Sequence, residues 1–321
     1  MTNPIKYWGD KPYNSLDYYL KKTYGEKVYR LSLNGGMTCP NRDGTLDTRG
    51  CIFCSAGGSG DFAASSNLSI TEQIEEAKMK ITAKTKAKKF IAYFQAYTNT
   101  YASVEYLRNL YMEAVMHPDI ILLSIATRPD CLNEEILNLL SEIHTIKPVW
   151  IELGLQTIHP KTSAWIRSGF VLSDFTDAVH HLYARNIPVI THLILGLPGE
   201  TRDMMLDSVA FASSLPISGI KLQLLHILKG TDLDILYQKE PFPLPTLEEY
   251  ANLIADCIEI LPENIVIHRI TGDGPKKLLT APLWSADKKR VLNTLTKTLK
   301  QRRSYQGKGG IIWQSQIPFT K

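Results

Sequence analysis

The chain has 321 residues and a net charge of +4, and 44% of its residues are hydrophobic and 21% charged. This is the composition of an ordinary globular protein that can bury a large core, as one α/β domain or as a domain with an appendage. The first sixteen residues hold no apolar segment of the signal-peptide kind and no run of eighteen apolar residues occurs, so the sequence predicts neither secretion nor a membrane span. Five cysteines, an odd number with three of them clustered, favour the reducing cytoplasm over a disulfide framework.

The apolar pattern predicts alternating strands and helices after an irregular lead-in with one short helix near residues 15–23. The strands are predicted from short apolar runs at residues 28–33, 89–96, 121–126, 149–155, 189–196 and 217–227. The helices predicted between them cover residues 70–87, 103–116, 133–145, 174–185 and 202–214. Single helices between buried strands are typical of right-handed βαβ units in a parallel sheet.

Six such units predict an α/β fold, an incomplete (β/α)6 TIM-like barrel over residues 28–230. A dinucleotide-binding sheet agrees less well with the sequence, because the first strand runs into NGGMTC rather than a G-x-G-x-x-G turn. We expect residues 1–27 to form the lead-in. Residues 231–321 are expected to form a C-terminal helical extension that closes the open side of the barrel and carries a basic helix over 286–308. In such barrels the functional residues lie at the C-terminal ends of the strands.

Three of the five cysteines, Cys39, Cys51 and Cys54, lie within sixteen residues shortly after the first predicted strand. Cys51 and Cys54 form a C-x-x-C pair, and eleven residues separate Cys39 from it, a loop long enough to reach the same point. Three thiolates leave one iron of a cubane cluster without a protein ligand, and an open coordination position is where chemistry occurs. The alternatives are a structural zinc site, which lacks a second ligand pair here, and a thioredoxin-type redox pair, which leaves Cys39 unexplained.

Polar residues follow the second and fourth predicted strands. The loop after the second strand contains Gln95, Thr98 and Asn99, whose amides and backbone groups suit an amino-acid carboxylate and ammonium. Glu152 and Gln156 on the fourth strand together offer the acceptor and the donor that a ribose diol needs. The alternative for Glu152 is a structural carboxylate paired with a basic side chain, Lys221 or Arg128.

Two further candidates lie later in the chain. Gly196 and Gly199, on either side of Pro198, allow a flat aromatic ring to approach the backbone closely. Arg167, in the segment WIRSGF before the helix predicted at 174–185, is a candidate for binding a carboxylate, and its alternative is an ordinary surface arginine. No residue is assigned as a catalytic acid, base or nucleophile.

Basic residues are concentrated in two segments. Residues 276–310 hold ten Lys or Arg against one acid, a charge of +9, which leaves −5 for the rest of a chain of net charge +4. Residues 78–89 hold six lysines and no acid. Two solvated helix faces would explain both segments. The functional alternative is a binding surface for a polyanion.

The motifs taken together resemble those of the radical S-adenosylmethionine (SAM) superfamily. The motifs are NGGMTCPNRDGTLDTRGCIFC, YFQAYTNTYA, SIATRPDCL, IELGLQT, ITHLILGLPGET, RITGDGP and APLW. The cysteine spacing is C-x11-C-x2-C, which departs from the common C-x3-C-x2-C of the superfamily. It is similar to that of a subfamily related to the elongator catalytic subunit, and within it to the bacterial YtqA/YhcC-type proteins. The resemblance covers nearly the whole chain.

The resemblance implies a 4Fe-4S cluster bound by Cys39, Cys51 and Cys54, with S-adenosyl-L-methionine chelating the fourth iron. It also implies that Glu152 and Gln156 contact the ribose of SAM and that Arg167 lies near its carboxylate. The GGE-type motif of the superfamily is replaced here by QAYTNTY, so the atom that meets the SAM amino group is left open. The implied partners are tRNA, modified at its wobble uridine, and a one-electron donor such as flavodoxin or ferredoxin.

Other interpretations remain at this stage. A radical SAM enzyme can act on a small molecule or a protein instead of tRNA. A nucleic-acid-binding module with zinc or a structural cluster would bind without turnover of SAM. An electron-transfer protein would need a fourth cysteinyl ligand, for example Cys131, which matches no cluster ligand in the resemblance. We expect Cys131 to be a small residue that opens a helix, with a substrate-side thiol as its alternative.

Overall fold

The computed structural model describes residues 5–58, 60, 61, 63–272 and 274–310. The predicted lead-in and the predicted extension therefore lie partly outside the described residues, the former at residues 1–4 and the latter at 273 and 311–321.

Seven parallel strands curl into a half-barrel in the described part of the chain, each hydrogen-bonded to the next in sequence order. The seven are β1 Tyr29–Leu33, β2 Phe90–Phe94, β3 Ile120–Thr127, β4 Val149–Gln156, β5 Val189–Leu195, β6 Gly219–Leu224 and β8 Val266–Arg269. Two short strands, β7 Ile227–Leu228 and β9 Leu279–Ala281, form a separate antiparallel pair. The incomplete TIM-like α/β barrel is thus confirmed, and β8 adds a seventh strand to the six that were predicted.

Helices cover the outside of the half-barrel and both of its ends. They are α1 Leu16–Tyr24, α2 Ile70–Thr82, α3 Val104–Met116, α4 Glu134–Ile146, α5 Pro160–Trp165, α6 Leu172–Ala184, α7 Arg202–Ser214, α8 Asp232–Lys239, α9 Leu247–Ile260 and α10 Lys288–Arg302. Most begin at a Ser, Thr or Asn whose side chain accepts a hydrogen bond from the first turn, as expected for good N-caps. Ser69 and Thr246 each form a full capping box with a glutamate three residues later.

Three element boundaries differ from prediction. Helix α2 ends at Thr82 rather than near 87, because the hydroxyls of Thr82 and Thr85 donate to carbonyls of the last turn and the lysine-rich run that follows has few apolar residues to bury. The long strand predicted at 217–227 is split, since its last residues leave β6 and pair with β9. Helix α5, of only six residues, was not predicted.

Side chains that point into the half-barrel form three layers, because alternate residues of each strand face inward. The bottom layer is apolar and packs against α1: Leu20, Val28, Ile91, Leu122, Trp150 and Ile190. Two residues further along the strands lies what we call the charged layer: Arg30, Tyr93, Ser124, Glu152, His192 and Lys221. Two residues beyond that lies the mouth layer: Ser32, Gln95, Ala126, Gly154, Ile194 and Gln223. The outward residues pack beneath the helices in the main hydrophobic core.

Candidate functional site

A cavity of about 850 Å³ opens at the C-terminal ends of the strands. Its walls include Cys39, Cys51 and Cys54 at one side, the whole mouth layer, and most of the charged layer beneath. This volume lies within the usual range for ligand sites, roughly 300–1,000 Å³, and such sites are expected at this end of a barrel. The cavity is therefore the candidate active site.

The cysteine loop has no regular secondary structure and is fixed to the barrel by Asn41. This side chain is fully buried, and its Nδ2 donates to the carbonyls of Arg167 at 2.7 Å and Ser168 at 3.2 Å. The same Nδ2 lies 3.4 Å from Cys51 Sγ, and that sulfur also lies 3.5 Å from the Arg167 carbonyl. Asn41 thus holds the first half of the loop, the C-x-x-C turn and the segment after α5 in one arrangement. The sequence analysis did not identify it.

Arg42 fixes the other side of the loop. Its Nη2 donates to the carbonyls of Cys54 and Ser55, at 3.0 and 2.7 Å. The turn is closed by the backbone N–H of Cys54, which donates to the Cys51 carbonyl at 2.9 Å. Gly50, in the left-handed region at φ +77°, lies against Arg42, where a Cβ would come within 2.8 Å of Nε. A side chain at position 50 would therefore displace Arg42 from the loop.

The arrangement of the three thiols fits an iron–sulfur cluster better than a single ion. Among the described residues, the metal-ligating side chains whose donor atoms all lie within 4.8 Å of one another are Glu75, His117 and Asp119, and not the three cysteines. Thiolates on one tetrahedral zinc ion are about 3.8 Å apart, since each Zn–S bond is about 2.3 Å. A cluster instead accepts each thiolate on a different iron.

Burial disfavours the thiolate form of Cys51. Burial, and to a smaller extent the neighbouring Cys54, raise the pKa of the Cys51 thiol to about 11. Such a group stays protonated at neutral pH unless a metal compensates the thiolate charge, which is what binding of iron provides.

Four of the predicted cofactor contacts lie around the cavity. Gln95, Thr98, Glu152 and Gln156 all contribute to its lining. Gln156 lies in the left-handed region at φ 67°, next to an irregularity in the pairing of β4 with β5. Its Oε1 is buried and has no hydrogen-bond partner among the described residues, so this acceptor fits the cofactor's hydroxyl or amino donors.

The structure does not bring the side chains of Asn99, Arg167 and Gly196 into the cavity. Asn99 is used structurally: its Nδ2 and its backbone N–H both donate to the Ala126 carbonyl, which fixes the loop after β2 on β3. Gly196, at φ 90°, faces Pro245. The SAM contacts predicted for these residues stay predictions, and the buried Asn99 Oδ1 has no hydrogen-bond partner among the described residues.

Arg167 lies on the outer side of the cysteine loop, at a second cavity of about 400 Å³. Its Nη2 is 2.6 Å from an Asp232 carboxylate oxygen. The residue adopts a left-handed conformation, φ 57°, and contributes its backbone carbonyl rather than its guanidinium to the surroundings of Cys51. The contact with the SAM carboxylate that the sequence suggests for Arg167 stays a prediction.

Glu152 is the centre of a buried network that spans five strands. Its Oε1 accepts from Ser124 Oγ at 2.8 Å and lies 3.3 Å from Arg30 Nη2. Its Oε2 lies 2.7 Å from His192 Nε2 and also binds the Lys221 ammonium. The alternative of a paired carboxylate beside Lys221 is therefore what the structure shows. Its contact with a ribose stays a prediction, and both oxygens already have partners.

Sequence comparison identifies the family. A sequence model of the Radical SAM superfamily matches residues 48–212, and one of the Radical_SAM C-terminal domain matches residues 217–301. The chain belongs to the radical SAM superfamily. It is a radical SAM enzyme, and the cofactors of this superfamily are a 4Fe-4S cluster and S-adenosylmethionine.

Individual relatives show which subfamily of radical SAM proteins the chain is similar to. Protein YtqA of Bacillus subtilis is 42% identical over 96% of this chain and 96% of its own length, and YhcC of Escherichia coli K12 is 38% identical over 83% and 85%. A tRNA uridine(34) acetyltransferase of Methanocaldococcus jannaschii is 26% identical over 49% of this chain but only 29% of that enzyme. The structure of Methanocaldococcus infernus Elp3 with an N-terminal deletion has a TM-score of 0.66 at 17% identity and covers 87% of this chain and 64% of that one. The resemblance to a subfamily related to the elongator catalytic subunit is thus confirmed.

Burial and neighbouring charges set the protonation of the charged layer in this radical SAM barrel. Desolvation, and then repulsion from Lys221, lower the pKa of His192 to about 4, so this imidazole is neutral at pH 7. Desolvation also lowers the pKa of Lys221 to about 7, against the attraction of Glu152 and with repulsion from Arg30 and Arg269. Burial would raise the pKa of Glu152, but the opposing attraction of Lys221 and Arg30 holds it well below its usual value.

The other two cysteines are not among the described residues that line the radical SAM cavity. Cys131 ends a short 3-10 turn that begins at Pro129, and its carbonyl accepts from Thr100 Oγ1 at 2.6 Å. Burial raises the pKa of its thiol to about 12. Cys257 is fully buried in α9. The prediction that neither of them binds the cluster stays a prediction.

The basic helix of the C-terminal region is α10, which packs against α9 through Val291, Leu295 and Leu299. Its N-terminal half follows β9 near the mouth of the barrel, and Lys276 from the preceding loop contributes to the cavity lining. At its other end, Arg302 binds Asp256 and Glu259. No helix in the described ranges has both the length and the apolar character that crossing a membrane would require.

Proposed function

We propose that this radical SAM enzyme modifies the wobble uridine side chain of tRNA. The observation that carries the proposal is the sequence match to tRNA uridine(34) acetyltransferases, 26% identity in the M. jannaschii enzyme and 27% in that of Dehalococcoides mccartyi, over about half of this chain. Because the chain spans only 29% and 35% of those two enzymes, the shared part supports a shared type of site and not their acetyl transfer.

Cys39, Cys51 and Cys54 would hold the cluster, with Asn41 and Arg42 fixing the loop that carries them. When bound and reduced, the cluster supplies the electron that splits SAM into methionine and a 5′-deoxyadenosyl radical able to abstract hydrogen from carbon. The barrel provides no assigned acid or base for this step. Its contribution is to position both molecules and to exclude water and oxygen.

The mouth layer is the proposed position of SAM. Gln95 and Thr98 lie on the β2 side of the cavity and suit the polar methionyl end, while Gln156 lies on the β4 side with an open acceptor for the ribose. A buried amide whose hydrogen bonds are not satisfied is costly. A ligand hydroxyl that donates to the Gln156 amide in the barrel mouth would therefore be stabilised. Glu152, one layer deeper, reaches the ribose only if a partner in its network gives way.

The charge of the extension supports an RNA substrate. The solvent face of α10 carries Lys289, Arg290, Lys297 and Lys300, opposite the face that packs on α9. Such a stripe would bind phosphates without reading sequence. A carbon on a base reaches the cavity only if the nucleotide is splayed out of the stack, which favours an anticodon loop over a duplex.

The electron is proposed to come from a flavodoxin or ferredoxin in the cytoplasm. None of the five cysteines forms a disulfide in the described part of the chain, as expected of a protein kept in reducing surroundings.

The test is anaerobic reconstitution with iron, sulfide, SAM and dithionite, with and without tRNA from cells that lack the protein. Formation of 5′-deoxyadenosine reports SAM cleavage, and mass spectrometry of the tRNA nucleosides reports modification. We expect tRNA to stimulate cleavage and a uridine derivative to change, and a duplex RNA of equal length to do neither. Identical nucleoside profiles with and without the protein, at full cluster loading, would reject tRNA as the substrate and leave the radical SAM activity standing.

A further inference from the structure

The charged layer lies beneath the mouth layer, which is the proposed position of SAM. Each of its residues precedes a mouth-layer residue by two positions on the same strand, as Glu152 precedes Gly154 and Lys221 precedes Gln223. Two residues of a parallel strand span about 6.6 Å. Lys221, Glu152, Arg30 and His192 nevertheless line the cavity, so whatever occupies its lower part contacts them.

Cationic groups outnumber anionic ones in this layer. Arg30 and Lys221 lie against the single carboxylate of Glu152, while the pKa values of His192 and the adjacent His268 are lowered so that both rings are neutral at pH 7. Glu152 and Lys221 are fully buried. A buried charge without a counterion is costly, so a protonated Lys221 beside Arg30 leaves one positive charge to be compensated.

Hydrogen-bonding capacity also remains in the layer. The Lys221 ammonium has three N–H donors, and its partners in the network are Glu152 and Tyr93 Oη, the latter at 3.1 Å. Arg30 uses Nη2 for Glu152 and for His268 Nδ1, but its buried Nε has no hydrogen-bond partner among the described residues. Lys221 and Arg30, which both line the cavity, thus keep donor capacity that their partners in the network do not use.

We propose that the charged layer is a binding subsite for a negatively charged group, a carboxylate or a phosphate, on the part of the substrate that enters the barrel. Lys221 and Arg30 donate to this group, and Glu152 holds the two donors in place. The inference rests on the proposed function only in placing a substrate beneath SAM in this cavity. It does not require that the substrate be RNA.

Binding at this subsite is linked to protonation of Lys221. The groups that face Lys221 are Tyr93 on β2, Glu152 on β4, His192 on β5, and His268 and Arg269 on β8, with Arg30 on β1. Of these, Glu152 stays ionised and both histidines stay neutral through the pH range 6–8.5, so Lys221 is the member of the set whose charge changes there. An anion favours the ammonium form. Affinity is therefore high at pH 6 and falls as the amine loses its proton.

The experiment uses the cluster-loaded protein with saturating SAM, under anaerobic conditions and at constant ionic strength. Acetate and dimethyl phosphate serve as probes, because each carries one negative charge from pH 6 to 8.5 and a methyl group whose NMR relaxation reports weak binding. We expect one probe to bind, with an affinity that falls at least about tenfold between pH 6 and pH 8.5, given one titrating cation. Preference for acetate indicates a carboxylate substrate, and preference for dimethyl phosphate indicates a phosphate.

Variants of Lys221 distinguish the effect of its charge on binding from an effect on the fold. Lys221→Arg keeps a permanent cation and should bind the probe with little dependence on pH, whereas Lys221→Met should lose binding. Lys78→Met serves as control, because Lys78 bridges Glu75 and Asp119 outside the cavity and should leave probe binding unchanged. Because the pH profile of the unmodified protein is itself a test, a variant that fails to fold does not leave the proposal untested.

Three results would overturn the subsite: no binding of either probe with or without SAM, binding by the unmodified protein that does not change with pH, or binding of the probe only when SAM is left out. The last would assign the charged layer to the cofactor's own carboxylate. A protein that binds the probe as expected but leaves tRNA nucleosides unchanged would reject the RNA substrate and keep the subsite.

Discussion

The mouth of the half-barrel and the charged layer beneath it are adjacent but are built in different ways. The cysteine side of the mouth comes from one irregular loop, held by neutral hydrogen bonds from Asn41 and by the guanidinium of Arg42. The charged layer comes from single residues of six strands, joined around the buried Glu152 by ionic contacts with Arg30 and Lys221 and by hydrogen bonds with neutral groups. The loop can accept a metal cluster without disturbing the sheet, whereas the layer is part of what holds the sheet together.

This difference separates two kinds of failure. A change in the loop should remove the chemistry and spare the fold, because few core contacts depend on it. A change in the charged layer should disturb the fold first, because removing one partner of a buried pair leaves an uncompensated charge.

The largest effect is expected from the cluster cysteines. Replacing Cys39, Cys51 or Cys54 by Ala should abolish SAM cleavage and lower bound iron and sulfide severely, with little change in the unfolding of the apo protein. Iron and sulfide counts after reconstitution provide the measurement. Cys131→Ala is the matched control and should load a full cluster. Full loading in Cys39→Ala would contradict the assignment.

Glu152→Gln should give the largest loss of stability. It keeps the size of the side chain but leaves Lys221 and Arg30 without their counterion, at a cost of about 3–5 kcal/mol in the free energy of unfolding. Glu142→Gln, which breaks the exposed pair with Arg108, should cost no more than about 1 kcal/mol. Denaturant titration of the apo proteins makes the comparison. Equal losses in the free energy of unfolding would show that the buried network stabilises the fold no more than an exposed ion pair does.

The stability of the unmodified protein should also depend on pH through Glu152. Its pKa in the folded state lies below the ordinary value of 4.5, so its contribution is complete above about pH 5 and is lost as the pH falls toward the folded-state pKa. The free energies of unfolding of the unmodified protein and of Glu152→Gln should therefore converge as the pH falls. Curves that stay parallel down to the acid transition would count against this linkage.

The sequence predicted the loop far better than the layer, and the reason is physical. Cys39, Cys51 and Cys54 are close together in the chain, so their chemistry is visible as a pattern. Strands of a parallel sheet are buried on both faces and lack a clear alternation, so the sequence does not show that Glu152 and Lys221 point inward at one level. Only their pairing was anticipated, as the alternative for Glu152.

The same limit applies to the predicted SAM contacts. Gln95, Thr98 and Gln156 follow strands and line the cavity as expected. Asn99 also follows a strand, but its side chain is used to fix the loop on β3, and Arg167 turns outward to Asp232. Position after a strand places a residue at the correct end of the barrel, whereas the direction of its side chain depends on partners from distant parts of the chain.

A smaller effect is expected from Asn41, which connects the loop to the segment after α5. Asn41→Ala removes hydrogen bonds to the Arg167 and Ser168 carbonyls and the contact with Cys51 Sγ. The Ser168 carbonyl keeps its hydrogen bond from Arg128 Nη1, but the Arg167 carbonyl loses its amide donor, at a cost of about 1–3 kcal/mol. We expect this cost to appear as faster loss of the cluster in air, followed by its visible absorption, while the apo protein unfolds nearly as before. Unchanged cluster lifetime would show that the loop is held by other contacts.

The smallest effect is expected at the surface of α10. Replacing Lys289, Arg290 and Lys297 together by Gln should weaken tRNA binding at low salt and spare uncoupled SAM cleavage, because these exposed side chains lie outside the cavity. Each lost phosphate contact lowers the slope of log affinity against log salt by roughly 0.7–0.9, so the triple change should lower it by about 2 if all three engage RNA. Filter binding at several salt concentrations measures the slope.

The control for that slope uses the other basic segment. Lys84, Lys86 and Lys88 are equally exposed but lie in the connection before β2, at the closed end of the barrel. Arg302 is left out of the test set because Asp256 and Glu259 already bind its guanidinium. If RNA enters the mouth, the lysine triple should leave the slope unchanged. An equal fall of the slope in both triple variants would mean that tRNA binds exposed basic residues wherever they lie. It would remove the link between α10 and the cavity.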